Sequence, residues 1–211
     1  TNKTPGAGRD ILASSANNLY VDVTMDELQG LDERYGLNSR LLDRNGELIE
    51  EVYRIDGKYG PQIAEIVTHL EAAVPFATES MAAALRALVK FYRTGETADR
   101  RAYDMAWVQD QDSAVDTING FIEVYMDARG IKGSWEALVF YINEGKTRAI
   151  QTLAENAQWF EDRMPWDPSY RKEGVRGITA NAIDVVIEMG ESGPVTPIGI
   201  NLPNDQEIRE Q

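Results

Sequence analysis

The chain has 211 residues, of which 43% are hydrophobic, so it fits one large domain or two small ones with a substantial core. Its 35 acidic and 21 basic residues give a net charge of −14, which argues against nucleic acid and anionic membranes as partners and favours a cationic one. The absence of cysteine excludes disulfides and thiol catalysis, and no apolar run is long enough to span a membrane.

Residues 1–34 are predicted to be a flexible leader with one short helix. The turn-rich start, T-P-G-A-G, lacks the hydrophobic region of a signal peptide, which favours a cytoplasmic location. Thr24 and Glu27 have the spacing of a capping box. This spacing predicts a helix that runs to Arg34 and is ended by Gly36.

A hairpin and three helices are predicted next. Asn45-Gly46 is the favoured dipeptide of a type I′ turn, so Leu37–Ile55 is predicted to be a β-hairpin around it. Apolar residues then recur at helical spacing, and Gly95 stands where a left-handed helix cap belongs. The predicted helices are Pro61–Pro75, Thr78–Thr94 and Thr97–Asp110. Together they would form a helical layer over about residues 60–111.

From about residue 117 to residue 211 the pattern becomes that of a mainly β-core with one long helix. Strands are predicted at Phe121–Met126 and Ala182–Met189, and the long helix at Lys146–Met164. Trp135–Ile142 is nearly all apolar, which indicates either a strand buried on both faces or part of a helix. The predicted fold class is therefore α+β.

The stretch Val195–Asn204 is predicted to be an edge strand, because every second residue from Ile198 to Leu202 is apolar and these residues share one face. They are Ile198, Ile200 and Leu202. The prolines at positions 197 and 203 cannot donate to a ladder, which argues against a central strand. An edge of this kind suits the capture of an extended peptide by strand addition. The alternative is a protected edge that merely avoids aggregation.

Four sequence strings resemble one known family. N-G-F-I-E-V-Y, S-W-E-A-L-V, A-E-N-A-Q-W-F-E-D and T-P-I-G-I-N-L-P-N are similar, in order and spacing, to the middle of the dipeptidyl peptidase III family. The resemblance runs from about Tyr35 to Gln211 and implies a partial domain over residues 35–211. Members are two-lobed, zinc-dependent exopeptidases that remove dipeptides from peptide N-termini. The resemblance places the strands of this chain in the β-core that lines the cleft.

The resemblance also implies a set of substrate-binding residues. By this resemblance Glu123 would bind the N-terminal ammonium of the peptide, and Tyr125 would bound the same subsite. The asparagines would hold the peptide backbone and its ammonium end, and residues 196–198 would pair with the extended substrate through their backbone. The implied residues are Glu123, Tyr125, Thr196, Pro197, Ile198, Gly199, Asn201 and Asn204.

The zinc motif of that family is missing from these 211 residues. A H-E-x-x-G-H helix needs two histidines, whereas the chain has one, His69, for which we predict no catalytic role. We therefore predict no catalytic residue, metal ligand or cofactor in this chain, and zinc only in the full-length enzyme. The expected partners are a peptide with a free N-terminus and the missing zinc-bearing lobe. The alternative is a free-standing, non-catalytic peptide-binding or structural α+β module.

Overall fold

A computed structural model describes residues 2–15, 18–177, 180–193 and 197–209. The chain divides into two compact units. The first unit consists of Thr1–Ser113, Ile118–Ala137 and Glu188–Gln211, and the second of Ala114–Thr117 and Leu138–Ile187. Within the described ranges the secondary structure is a mixture of α-helices and two three-stranded sheets, which confirms the α+β class. None of the described helices is both long and apolar enough to cross a membrane.

The first sheet contains the predicted hairpin. Strand β1 (Tyr20–Val21) pairs in parallel with β2 (Ser39–Arg44), and β2 pairs antiparallel with β3 (Glu47–Val52). Between β2 and β3, Asn45 and Gly46 both have positive φ angles, of 59° and 85°, as a type I′ turn requires. The hairpin prediction is confirmed.

Three helices follow close to their predicted bounds: α1 (Gly60–Ala73), α2 (Glu79–Thr94) and α3 (Thr97–Gln109). The side chain of Thr78 accepts a hydrogen bond from the Met81 backbone N–H at 3.2 Å and caps the start of α2. Helix α2 lies at the centre of the main core, where Leu88 and Tyr92 are fully buried. The first unit is therefore built around this helix.

The structure of the leader, residues 1–34, differs from the predicted one in its described part. No helix forms over Thr24–Arg34, although the backbone N–H of Thr24 donates to Glu27 at 2.7 Å as a capping box would. Turns replace the helix, and Gly30 takes a positive φ of 84°, which interrupts helical geometry. Apart from Tyr20 of β1, four leader residues are nevertheless buried in a small core under the first sheet, because that sheet needs an apolar cover. They are Leu12, Leu19, Val23 and Leu28.

The second sheet has the order β4-β5-β6, with β4 at Val115–Phe121, β5 at Trp135–Ile142 and β6 at Ile183–Gly190. The strand predicted at Phe121–Met126 is misplaced, because the chain turns after residue 123 and the pairing lies before it. The strand predicted at Ala182–Met189 is confirmed by β6, and of the two alternatives for Trp135–Ile142 the strand is the one that forms. Burial alternates along β5, so the interpretation of a strand buried on both faces is wrong.

In the second unit the predicted long helix is split into α4 (Glu144–Glu155) and α5 (Ala157–Glu161). The break is at Asn156, whose φ of −100° and ψ of 18° are not helical. The side chain of Asn143 accepts from the Lys146 backbone N–H at 3.0 Å, so α4 begins two residues before the predicted start. An asparagine inside an apolar helical pattern was a weak signal of this break.

The predicted edge strand near the C-terminus is wrong for its described part. Val195 lies outside the described residues, and residues 197–205 form no strand. Pro197 and Pro203 supply no backbone N–H, and Ile198 is fully exposed with no strand of the described chain beside it. Helix α6 (Gln206–Arg209) follows, and Asp205 before it lies 3.3 Å from Arg101 of α3.

Candidate functional site

Glu123 lies just beyond β4, on backbone that is still held against the start of β5. The Ile122 N–H donates to the Ser134 carbonyl at 3.1 Å, and the Ser134 N–H donates to the Glu123 carbonyl at 2.8 Å. The side chain of Asn204 donates from Nδ2 to Oε1 of Glu123 at 3.3 Å. The fold thus brings together two of the predicted residues that are far apart in the sequence.

Tyr125 belongs to the same group of side chains. Its ring is 66% exposed, and its hydroxyl is hydrogen-bonded to Glu123. This hydrogen bond, followed by the negative charge of Glu123, raises the pKa of Tyr125 above its ordinary value. Glu123, Tyr125 and Asn204 therefore form one polar cluster at the end of β4.

Two further carboxylates, Glu136 and Glu191, lie close to this cluster. Glu136 is on β5 and is only 7% exposed, and its carboxylate has no hydrogen bond to a side chain or backbone group in the described part of the chain. Burial, followed by the charges of Glu123 and Glu191, raises the pKa of Glu136 to about 7. The charge of Arg100 opposes this shift.

Gly190, the last residue of β6, allows Glu191 to lie near Glu136. It has a positive φ of 74°, and a Cβ at this position would lie 2.2 Å from the Trp135 carbonyl oxygen of β5. The Glu191 N–H then donates to the same carbonyl at 3.1 Å. Glycine lets the two strands approach, and this approach places Glu191 beside Glu136.

The charge of Arg100, which opposes the shift of Glu136, is partly engaged by Asp104, while its Nη1 is buried without a hydrogen-bond partner among the described residues. Nε of Arg100 donates to both oxygens of Asp104, at 3.0 and 3.2 Å, and the guanidinium lies against Gly120 on β4. Three glutamates around one tyrosine and one asparagine therefore keep an excess of negative charge. Such a site attracts a cation that carries hydrogen-bond donors.

The other predicted residues are placed differently. Pro197, Ile198, Gly199 and Asn201 are exposed on a segment without strand structure, and among the described residues only Asn204 of this segment is hydrogen-bonded to Glu123. Thr196 lies outside the described residues. The binding roles of all these residues remain predictions.

Glu136 and Glu191 were missed by the sequence reasoning. An acidic residue in the apolar run of β5 was a usable signal for Glu136, because buried carboxylates are rare without a partner. No pattern singled out Glu191, since its place depends on the pairing of β6 with β5.

The described residues offer no site for a metal ion. In these ranges no group of three or more histidine, cysteine, aspartate or glutamate side chains has the arrangement that metal coordination needs. His69 is exposed on α1.

Comparison with known proteins identifies the family. The model of Peptidase family M49 matches residues 33–211. The chain belongs to peptidase family M49. The chain is 30% identical over 167 residues to "Dipeptidyl peptidase 3" of Dictyostelium discoideum. This match covers 79% of the chain and 23% of the relative. To "Dipeptidyl peptidase 3" of Homo sapiens it is 27% identical over 155 residues, covering 73% of the chain and 21% of the relative.

Solved structures show the same fold. The structure of DPP III from Caldithrix abyssi superposes on this chain with a TM-score of 0.78 at 20% identity. The superposition covers 92% of this chain and 38% of the Caldithrix chain. The structure of dipeptidyl-peptidase III from Corallococcus sp. strain EGB gives a TM-score of 0.66 at 21% identity, over 90% and 37% of the two chains. The chain thus spans less than a quarter of the curated relatives' length and under two fifths of these structures.

Proposed function

We propose that this chain supplies the peptide-binding part of a zinc-dependent dipeptidyl peptidase, which removes dipeptides from peptide N-termini. Membership of family M49 and the names of its relatives support the peptidase class. The observation that carries the proposal is the cluster of Glu123, Tyr125 and Asn204, with Glu136 and Glu191 beside it. Its excess negative charge suits the free ammonium of a peptide.

The cluster has the chemistry that amine recognition requires. Because Nδ2 of Asn204 already donates to Glu123, the amide oxygen of Asn204 is available to accept a hydrogen bond from an ammonium. The half-buried carboxylate of Glu123 offers a charged acceptor, and such hydrogen bonds are stronger than neutral ones. An exopeptidase that holds the amine at a fixed point also fixes which peptide bond is cleaved.

We propose that the cleavage chemistry belongs to a part of the enzyme outside these 211 residues. A bound zinc ion would polarise the scissile carbonyl and activate water. The residues of this chain do not fit such a site, because it has one histidine and no metal-binding group in the described ranges. We therefore propose that this chain alone binds peptide and does not hydrolyse it.

The proposal is tested by calorimetry with one tetrapeptide in two forms, with a free and with an acetylated N-terminus. The wild-type chain is expected to prefer the free amine. The substitution Glu123→Ala removes a charged hydrogen bond and should weaken binding of the free peptide about 10- to 100-fold, with little effect on the acetylated one.

Glu47→Ala is the matched control. Glu47 is exposed at the start of β3, so this variant changes the net charge equally without touching the cluster. Equal binding of both peptides by the wild type would contradict the proposal. A chain that binds neither would instead support a structural module.

A further inference from the structure

The turn that follows Tyr125 contains two fully buried charged residues, Asp127 and Lys132. Asp127 accepts hydrogen bonds from the Tyr20 hydroxyl at 2.9 Å and from the backbone N–H groups of Ile131 and Lys132 at 2.8 Å each. It also accepts from the Arg129 N–H at 3.1 Å. A single carboxylate thus fixes the shape of the turn.

The ammonium of Lys132 ties this turn to the first sheet and the leader. Nζ lies 2.5 Å from Oε2 of Glu33, 3.6 Å from Oε1 of Glu50 and 2.7 Å from Oγ of Ser39, to which it donates. Two carboxylates and one hydroxyl therefore surround this buried ammonium.

The acceptors are themselves held in place. The Ser39 hydroxyl donates to Glu50 at 2.7 Å, and Arg129 donates to Oε1 of Glu33 at 2.5 Å. Although burial by itself raises the pKa of Glu33, hydrogen bonds and charges from Lys132 and Arg129 lower it below its ordinary value. Glu33 is therefore ionised at neutral pH and holds Lys132 as one partner of an ion pair.

A short path of backbone contacts leads from Lys132 to Glu123. The next residue, Gly133, donates to the Leu37 carbonyl at 2.8 Å, and a Cβ there would lie 3.0 Å from the Phe121 carbonyl carbon. The residue after it is Ser134, whose N–H is bonded to the Glu123 carbonyl. The two residues that follow Lys132 are thus held by backbone hydrogen bonds, one to Leu37 and the other to Glu123.

We infer that Lys132 is a positioning residue, which holds the turn 127–134 against the first sheet and so fixes the Glu123 carboxylate for amine binding. This inference rests on the proposed function. Buried ion pairs contribute little net stability, and their best-attested role is to select one geometry. Lys132 and its partners Glu33, Ser39 and Glu50 fit such a role, since they join the leader, β2 and β3 to the segment that carries Glu123.

The test uses variants whose folding is verified by circular dichroism. Lys132→Met alone would remove one of the two cations that pair with the buried Glu33 and would change the net charge, so the main variant combines Lys132→Met with Glu33→Gln, which keeps the net charge. Lys132→Arg is the conservative variant and should restore part of the function. Arg40→Met is the matched control, because Arg40 forms a 2.5 Å ion pair with Glu51 in the same hairpin.

Two quantities are measured in each variant: the ratio of acetylated to free-amine peptide dissociation constants, and hydrogen exchange of the Ser134 amide. In the folded double variant the amine preference should fall at least tenfold and the Ser134 amide should exchange at least tenfold faster. Arg40→Met should change neither. A merely stabilising cluster would alter the unfolding midpoint and leave the peptide ratio unchanged.

The outcomes separate the two claims. A wild-type chain without amine preference overturns the proposed function and, with it, this role of Lys132. If the wild type shows the preference, an unchanged peptide ratio or an unchanged Ser134 exchange rate in the folded double variant overturns the positioning role alone.

Discussion

At the scale of single residues, Glu136 shows how a place in a sheet changes the chemistry of one carboxyl group. It is buried on β5 beside Glu123 and Glu191, and its pKa of about 7 lies well above that of an exposed glutamate. The folded protein therefore keeps a proton on Glu136 between about pH 4.5 and pH 7, where the unfolded chain has lost it. Stability should fall as the pH rises through this window.

This loss of stability with rising pH should disappear when Glu136 can no longer ionise. Glu136→Gln removes the titration, so the variant should be more stable than the wild type at pH 8, by roughly 1–3 kcal/mol, and nearly equal to it at pH 4.5. Urea unfolding at the two pH values measures the difference. The control is Glu155→Gln, an exposed position on α4, which should shift stability equally at both pH values. A Glu136→Gln effect independent of pH would contradict the argument.

At the scale of elements, the end of α2 shows how one helix cap holds a neighbouring strand. Gly95 has a φ of 74°, and its carbonyl accepts a hydrogen bond from the buried Asn38 side chain at 3.0 Å. A Cβ on Gly95 would lie 2.9 Å from Cγ2 of Val52, the last residue of β3. The cap therefore demands glycine for its backbone angle and for the approach of the first sheet.

Gly95→Ala and Gly46→Ala separate these two demands. Both glycines have positive φ, but a Cβ on Gly46 meets nothing within 4 Å. Gly46→Ala should cost about 1 kcal/mol from the backbone angle alone, whereas Gly95→Ala should cost about 2–4 kcal/mol because crowding is added. Denaturant unfolding measures both. Equal losses would mean that Val52 moves aside freely.

At the scale of the whole molecule, the second unit exposes apolar side chains along β6. Val186 is 65% exposed and Ile187 is 48% exposed, and neighbouring residues of a strand point to opposite faces. Within the described ranges β6 has a partner strand, β5, on one side only. An apolar strand with a free edge is a template for pairing with another chain.

We expect the isolated chain to self-associate through β6 as its concentration rises. Val186→Lys introduces a charge at this edge and should shift the sedimentation profile toward the monomer without changing the unfolding midpoint. Phe76→Lys is the control, since Phe76 is exposed outside any strand and its loss should leave association unchanged. Association that survives Val186→Lys would place the contact elsewhere.

Much of the fold could be predicted from local patterns. The hairpin around Asn45-Gly46 and the three helices α1 to α3 were found close to their observed bounds, because turn chemistry and helical periodicity act between near neighbours in sequence. The long helix broken at Asn156 and the strand misplaced at Phe121–Met126 depended on where pairing and packing stop. Alternation in sequence does not contain that information.

The sequence by itself determined the family strings and the α+β class, and the resemblance they carry placed Glu123, Tyr125 and Asn204 among eight predicted binding residues. Only the tertiary structure decided that Glu136 and Glu191 lie near these residues and that Lys132 is buried between Glu33, Glu50 and Ser39. The physical reason is distance along the chain. Residues that meet through the pairing of β4, β5 and β6, or through a buried ion cluster, carry no local pattern, because their neighbours are set by strand register and not by sequence spacing.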